Sequence, residues 1–206
     1  MKQENTKQKI LDTALRLFSE RGYDSVTVDD IAKAVGIKAP SLYNHYSGKR
    51  AIFDAIVDNV SKHYALDTDK IDIHVEDSVR DAEMFDRIDE EFLFEKVKKV
   101  FEYSLHDETI RNFRKMMTLE QFASSEFGMM YSERFVDRLI RYHSGIFASL
   151  IKSGEITGNA DALAWLYVSP VLAFIGICDR EPDREEECLN KLKAHVTLFY
   201  AMAHRK

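Results

Sequence analysis

The chain of 206 residues is 45% hydrophobic and 31% charged, which is enough to bury one large core or two small ones. Its polar opening, MKQENTKQKI, does not have the pattern of a signal peptide. The most apolar stretch, 160–178, is interrupted by Asp161, Ser169 and Pro170, which favours a buried helix over a membrane span. We therefore expect a cytoplasmic protein with no membrane partner.

The formal net charge of −6 disfavours a nucleic-acid partner only if it is spread evenly. Residues 1–50 carry nine Lys/Arg and six Asp/Glu, whereas residues 51–206 carry twenty Lys/Arg and twenty-nine Asp/Glu. The N-terminal quarter is thus basic, and the acidic excess lies elsewhere. This distribution is typical of a protein that approaches phosphate with one end only.

The first elements in chain order are three short helices. Residues 7–21 have apolar side chains at helical spacing, and Gly22 ends that pattern. Thr27 can cap a second helix whose first turn is acidic. Gly36 supplies the turn after it, and Pro40 suits the start of a third helix. The third helix is polar and aromatic on a surface that a core would not need, which is typical of a helix-turn-helix DNA-binding motif.

Residues 9–54, KILDTALRLFSERGYDSVTVDDIAKAVGIKAPSLYNHYSGKRAIFD, resemble the N-terminal domain of the tetracycline-repressor (TetR/AcrR) family of transcriptional regulators. Two positions depart from the common family form. Lys38 stands where a small capping residue is frequent, and Tyr46 stands where phenylalanine is frequent. The resemblance implies an all-α fold, with a helix-turn-helix domain over 1–47 and a helical effector-binding and dimerisation domain over 48–206.

The resemblance also implies roles for individual residues in DNA binding. Phosphate contacts are expected from Thr27, Tyr43, His45 and Lys49, and contacts in the major groove from Lys38, Ala39, Ser41 and Asn44. Leu42, by contrast, has the spacing of a residue packed in the core of the domain.

After a fourth helix that begins near Lys49, residues 67–91 hold eleven Asp/Glu against three Lys/Arg. This composition predicts a solvated connection or a short helix, and an acidic cap over a ligand entrance is the alternative. Helical periodicity then returns in five segments: from about 89 to 105, 108–123, 129–153, about 160–178 and 183–204.

The second half contains many Phe and Met side chains at helical spacing, which usually indicates core packing. The resemblance implies a cavity for a small apolar or aromatic effector. The candidate effector-binding residues are Phe92, Phe113, Met116, Met117, Phe135, Tyr142, His143 and Trp165.

The last two helices are apolar over more of their circumference than solvent-facing helices. They therefore predict a homodimer through 160–178 and 183–204. Cys178 and Cys188 are expected to be unlinked thiols, with a redox switch as the alternative. The sequence has neither a motif for catalysis nor a metal-ligand spacing, and we expect no cofactor.

These features predict a dimeric repressor, not an enzyme, that leaves a near-palindromic operator when a small molecule binds. A related regulator that activates transcription or senses a metabolite is the first alternative. A helical enzyme or interaction module without specific DNA binding is the second.

Overall fold

The computed structural model describes residues 2–69, 78–85 and 89–203, and every regular element within these ranges is helical. The predicted all-α fold is confirmed. The α-helices are α1 (Lys2–Arg21), α2 (Val28–Val35), α3 (Ala39–Tyr43), α4 (Lys49–Asp69), α5 (Ser78–Phe85), α6 (Glu90–His106), α7 (Glu108–Glu120), α8 (Ser125–Ser132), α9 (Arg138–Ser153), α10 (Ala160–Arg180) and α11 (Glu185–Ala203).

Four helix boundaries differ from the sequence expectation. The last helix begins at Glu185 rather than at Asp183, because Pro182–Arg184 forms a 3-10 turn. The first helix begins at Lys2, and α7 ends at Glu120 rather than near 123. The helix predicted over 129–153 begins at Ser125 and contains a π-helical turn at Glu133–Asp137. Such a turn adds one residue to the helix without breaking it, so apolar periodicity alone does not reveal it.

Part of the acidic segment 67–91 forms helix α5, as the expectation of a short helix predicts. The stretches 70–77 and 86–88 lie outside the described residues, and so does the predicted end of the last helix at His204.

The chain divides into two compact units. The head unit comprises Met1–Tyr64 and Asp107–Tyr131, and the body unit comprises Ala65–His106 and Ser132–Lys206. Helix α7 packs along α1 within the head unit, where Phe18, Phe53 and Met116 are fully buried. The functional boundary expected between residues 47 and 48 stays a prediction.

In the body unit, α9, α10 and α11 surround a core that includes Ile146, Ala164 and Leu192. Helix α10 has a mean hydropathy of 1.7 and is, by length and composition alone, long and apolar enough to cross a membrane. Only 33% of its apolar window is buried within one chain. The expected buried helix is therefore only partly covered within a single chain.

Candidate nucleic-acid interface

Helix α2 begins at a complete capping box. The Thr27 hydroxyl accepts a hydrogen bond from Asp30 N at 3.1 Å, and the Asp30 carboxylate accepts one from Thr27 N at 2.9 Å. The bonds from the Thr27 backbone and hydroxyl lower the pKa of Asp30. At the other end, Gly36 has a φ of 83°, a left-handed conformation that glycine adopts without steric cost. The turn between α2 and α3 is thus fixed by local chemistry at both ends of α2.

Helix α3 starts without a side-chain cap, as the lysine at its N-terminus predicts. Lys38 occupies the N-cap in an extended conformation, and its side chain makes no capping bond. The cost is small because Pro40 has no N–H to satisfy, and Ser41 N already donates to the Lys38 carbonyl at 2.9 Å. The Lys38 ammonium is therefore not needed to hold the helix.

The side chains of α3 and its flanks separate into a buried and an exposed set. Leu42 is fully buried together with Ile31 and Val35, which confirms its predicted place in the core. Four of the predicted DNA-contacting residues are exposed beside it: Lys38, Ser41, Tyr43 and Asn44; Ala39 and His45 are partly exposed. Lys38, Ser41 and Asn44 follow at intervals of three along one side. They form a row with one cation, one hydroxyl and one amide, which suits a phosphate and base edges.

Two of the predicted phosphate contacts are occupied by bonds within the protein. The Thr27 hydroxyl donates to the Asp30 carboxylate at 2.7 Å. The Lys49 ammonium donates to the Tyr23 carbonyl at 2.9 Å and lies 4.2 Å from the centre of the Tyr23 ring. An ammonium has three donors, so Lys49 retains capacity for a phosphate. The DNA roles of all eight residues stay predictions.

Two contacts that position the motif were missed by the sequence reasoning. Lys9 on α1 donates to the Val35 carbonyl at 2.9 Å and so satisfies the end of α2. Glu120 is 5% exposed and accepts a hydrogen bond from Tyr23 N at 2.7 Å. A signal for Glu120 existed, since it follows Phe113 and Met117 on one face of α7 and places a charge on an apolar stripe.

The candidate effector residues are divided between the two units. Phe113, Met116 and Met117 are buried in the head unit on α7. The other five belong to the body unit, where Phe92 and Trp165 are 49% and 45% exposed, Phe135 lies in the π-helical turn, and Tyr142 and His143 are adjacent on α9. Tyr142 and His143 share a ring cluster, and the effector assignments stay predictions.

The ring cluster around His143 is aromatic, and a buried carboxylate, that of Asp81, lies beside it. The His143 ring lies 4.9 Å from Tyr142 and 5.2 Å from Tyr167, between ring centres, and Tyr167 lies 4.9 Å from Phe199. Burial lowers the pKa of His143 from 6.5 to about 4, so the imidazole is neutral at pH 7. The Tyr142 hydroxyl donates to the carboxylate of Asp81 on α5, which is 1% exposed. These polar groups are paired within the protein, since His143 Nδ1 also lies 2.8 Å from the Leu139 carbonyl oxygen.

Both cysteines are free and buried in the body unit, as expected for unlinked thiols. Burial, followed by a hydrogen bond with Cys188, raises the pKa of the Cys178 thiol to about 12. A thiol that stays protonated is a poor nucleophile, so this geometry does not favour the redox alternative.

Comparison with known proteins places the helix-turn-helix in a family. Residues 10–56 match the model of bacterial regulatory proteins of the tetR family, which confirms the resemblance found in the sequence. A stretch of 58 residues is 50% identical to the biofilm operon icaADBC HTH-type negative transcriptional regulator IcaR of Staphylococcus epidermidis. That stretch covers 28% of this chain and 31% of the relative, so the likeness is confined to less than a third of either protein.

Solved structures extend the likeness in fold to the whole chain. The SmeT–triclosan complex superposes with a TM-score of 0.71 at 19% identity and covers 98% of this chain and 93% of that one. MexZ, a repressor of Pseudomonas aeruginosa, gives 0.70 at 16% identity over 97% and 98% of the two chains. SmeT and MexZ are both described as repressors, and neither is described as an enzyme. Identities this low establish a common fold only.

Proposed function

Residues 10–56 belong to the tetR family of bacterial regulatory proteins, and we propose that the chain is a cytoplasmic, homodimeric, sequence-specific DNA-binding repressor. A small molecule bound in the body unit releases it from a near-palindromic operator. The protein acts by binding and has no catalytic role.

The observation that carries the DNA-binding proposal is the exposed row on α3 above a buried Leu42. The Lys38 ammonium has no hydrogen-bond or ion-pair partner among the residues that the structure describes, so its charge is available to a phosphate. Asn44 at the end of the row is exposed, and its amide has the donor and acceptor pair that suits adenine. The buried leucine anchors the helix so that these side chains face outward together.

The uncovered apolar side chains of α10 and α11 support the homodimer. Trp165 and Leu166 on α10 are 45% and 51% exposed, and Leu198 and Met202 on α11 are 69% and 39% exposed. A second copy that packs the same two helices against them removes this surface from water. It also supplies the second recognition helix that successive major grooves, about 34 Å apart, require.

Release by an effector follows from a difference in affinity between two states. A ligand that binds more tightly to the conformation in which the two heads mismatch the half-sites shifts the population away from DNA. The aromatic cluster around His143 supports an apolar or aromatic ligand. SmeT, a neighbour in fold, has been solved in a complex with triclosan.

Selection from random double-stranded DNA with the full chain tests the DNA-binding proposal. We expect an enriched site with two inverted half-sites, and Asn44→Ala should relax the preference at one base pair per half-site. The wild type and the variant are then compared on single-base substitutions by fluorescence anisotropy. Failure of the wild type to enrich any sequence would contradict the proposed function.

The oligomeric state tests the dimer proposal independently. Leu198→Glu places a charge on the proposed interface and should convert the protein to monomers in light scattering, with a loss of operator affinity. Phe122→Glu is the matched control, because Phe122 is 90% exposed but belongs to the head unit and to neither α10 nor α11. A dimer that survives Leu198→Glu would contradict this interface.

A further inference from the structure

The backbone of Tyr23, just after α1, is held on both its N–H and its carbonyl by charged side chains from distant segments. Tyr23 N donates to the Glu120 carboxylate at 2.7 Å, and the Tyr23 carbonyl accepts from the Lys49 ammonium at 2.9 Å. Glu120 comes from α7 and Lys49 from the first residue of α4. With Glu120 only 5% exposed, its charge-assisted bond is shielded from water, which strengthens it.

The residue before Tyr23 is a glycine, which leaves room for the Glu120 carboxylate. Gly22 has a φ of 81°, and a Cβ at this position would lie 3.1 Å from Glu120 Oε1. A buried carboxylate near the C-terminus of a helix is unfavourable, because the helix dipole is negative there. The placement of Glu120 at the end of α1 therefore has a cost, which the bond to the Tyr23 N–H offsets.

The Tyr23 side chain makes aromatic contacts with three neighbouring rings. Its ring centre lies 5.2 Å from that of Phe18, 5.4 Å from Phe53 and 5.7 Å from Phe127. These three rings come from α1, α4 and α8. Tyr23 thus links the two segments of the head unit, Met1–Tyr64 and Asp107–Tyr131, by its backbone and by its ring.

The chain runs from this junction directly into the DNA-binding motif. Val26 is fully buried, and Thr27 begins the capping box of α2. We propose that Glu120 is a positioning residue for DNA recognition. Through the Tyr23 N–H it sets the path of residues 22–26, and with Lys49 it fixes that path against the start of α4. This role rests on the proposed DNA-binding function.

Two substitutions of Glu120 in the full chain separate its acceptor from the rest of its side chain. Glu120→Gln keeps a carbonyl oxygen for the Tyr23 N–H, and operator affinity should stay within about threefold of the wild type. Glu120→Ala removes the acceptor, and affinity should fall about tenfold, or about 1.4 kcal/mol, because residues 22–26 are then no longer held in the position that DNA binding requires. The slope of log affinity against log salt should not change, because no phosphate contact is lost.

Amide hydrogen exchange and a matched control variant are measured together with the operator affinities. The Tyr23 amide should exchange faster in Glu120→Ala than in Glu120→Gln. Glu126→Ala is the control: Glu126 lies in the same segment, but its carboxylate is 55% exposed and is ion-paired with Arg50 at 2.6 Å. Exposed pairs contribute little, so this variant should bind the operator like the wild type.

Equal operator affinities of the wild type and Glu120→Ala, measured where both are folded, would overturn the positioning role alone. So would a loss in Glu120→Ala that comes with a changed salt slope, or one that Glu120→Gln shares in full. The absence of sequence-specific binding by the wild type would instead overturn the proposed function, and the positioning role with it.

Discussion

Replacing Tyr46 with phenylalanine should stabilise the protein without affecting DNA binding. Tyr46 is 7% exposed, and its hydroxyl oxygen is buried with no hydrogen-bond partner in the part of the chain that the structure describes. Burial also raises the pKa of this phenol. An unpaired buried hydroxyl costs about 1–3 kcal/mol in desolvation, and Tyr46→Phe removes that cost.

The other contacts of the Tyr46 ring do not depend on the hydroxyl. The Lys7 ammonium lies 5.5 Å from the ring centre, and phenylalanine presents the same face to it. We therefore take the low end of the range and expect a gain of about 1 kcal/mol. For a chain of this length, that gain raises Tm by roughly 2–4 °C.

Differential scanning calorimetry on the wild type, Tyr46→Phe and Tyr43→Phe measures the effect. Tyr43 is the matched control because it is 54% exposed, its hydroxyl is free to meet water, and it lies three residues away. Tyr43→Phe should leave Tm unchanged and weaken operator binding, whereas Tyr46→Phe should raise Tm and leave binding unchanged. A lower Tm for Tyr46→Phe would refute the reasoning, since it would mean that the hydroxyl makes a stabilising bond.

Three further substitutions test other features of the two units. Lys38→Ser should reduce the slope of log operator affinity against log salt by about one ion per head. It should change the free energy of unfolding by less than about 0.5 kcal/mol. An unchanged slope would contradict the phosphate role of Lys38. The folded pKa of His143, about 4, lies below its unfolded value of 6.5, so stabilisation is complete above pH 6.5 and is lost as pH falls through 4. His143→Gln should therefore remove about 3 kcal/mol of acid sensitivity between pH 6.5 and 4, measured by urea unfolding, and an equally steep loss in the variant would contradict this assignment. Gly22→Ala should lower the free energy of unfolding by about 1–2 kcal/mol, because Gly22 has a positive φ and the Glu120 oxygen lies nearby. Gly48→Ala is the control: no atom lies within 4 Å of the added Cβ, so this variant should be nearly neutral in the same unfolding assay.

Local chemistry explains why the helix-turn-helix could be predicted from the sequence. The capping box at Thr27, the left-handed Gly36 and the buried Leu42 each follow from residues within a few positions of one another. Caps and turns are determined by such short-range patterns, so the sequence contains the information directly. The missing cap at Lys38 was equally visible, although the structure adds the reason that it is tolerated.

The effector residues could not be predicted in the same way. Helical spacing identified Met116 and Tyr142 as inward-facing, and both are buried, but it does not say which core a side chain enters. Met116 lies in the head unit and Tyr142 in the body unit. The partners of a buried face are chosen by long-range packing, for which the periodicity of one helix carries no information.

Lys49 shows how a correct motif can leave the role of one residue open. In the sequence it is a cation at the end of a DNA-binding motif, and a phosphate is its natural partner. In the structure its ammonium already meets the Tyr23 carbonyl and the Tyr23 ring. Loss of DNA affinity in Lys49→Ala would therefore report on the position of the Tyr23 peptide as well as on a phosphate contact. Only the salt slope separates the two, because repositioning leaves it unchanged and the loss of a phosphate contact does not.

The discontinuous head unit has a consequence for how DNA recognition is divided along the chain. The motif itself ends before Lys49, yet the compact unit that contains it also includes Asp107–Tyr131. A fragment of residues 1–47 keeps every predicted base contact but lacks Glu120, Lys49 and the Phe53 and Phe127 rings. It would therefore leave the Tyr23 N–H and carbonyl without the partners they have here. If Glu120 has the proposed positioning role, the structural requirement for DNA recognition extends to α7 and α8, although the side chains proposed to contact DNA all lie within 27–49.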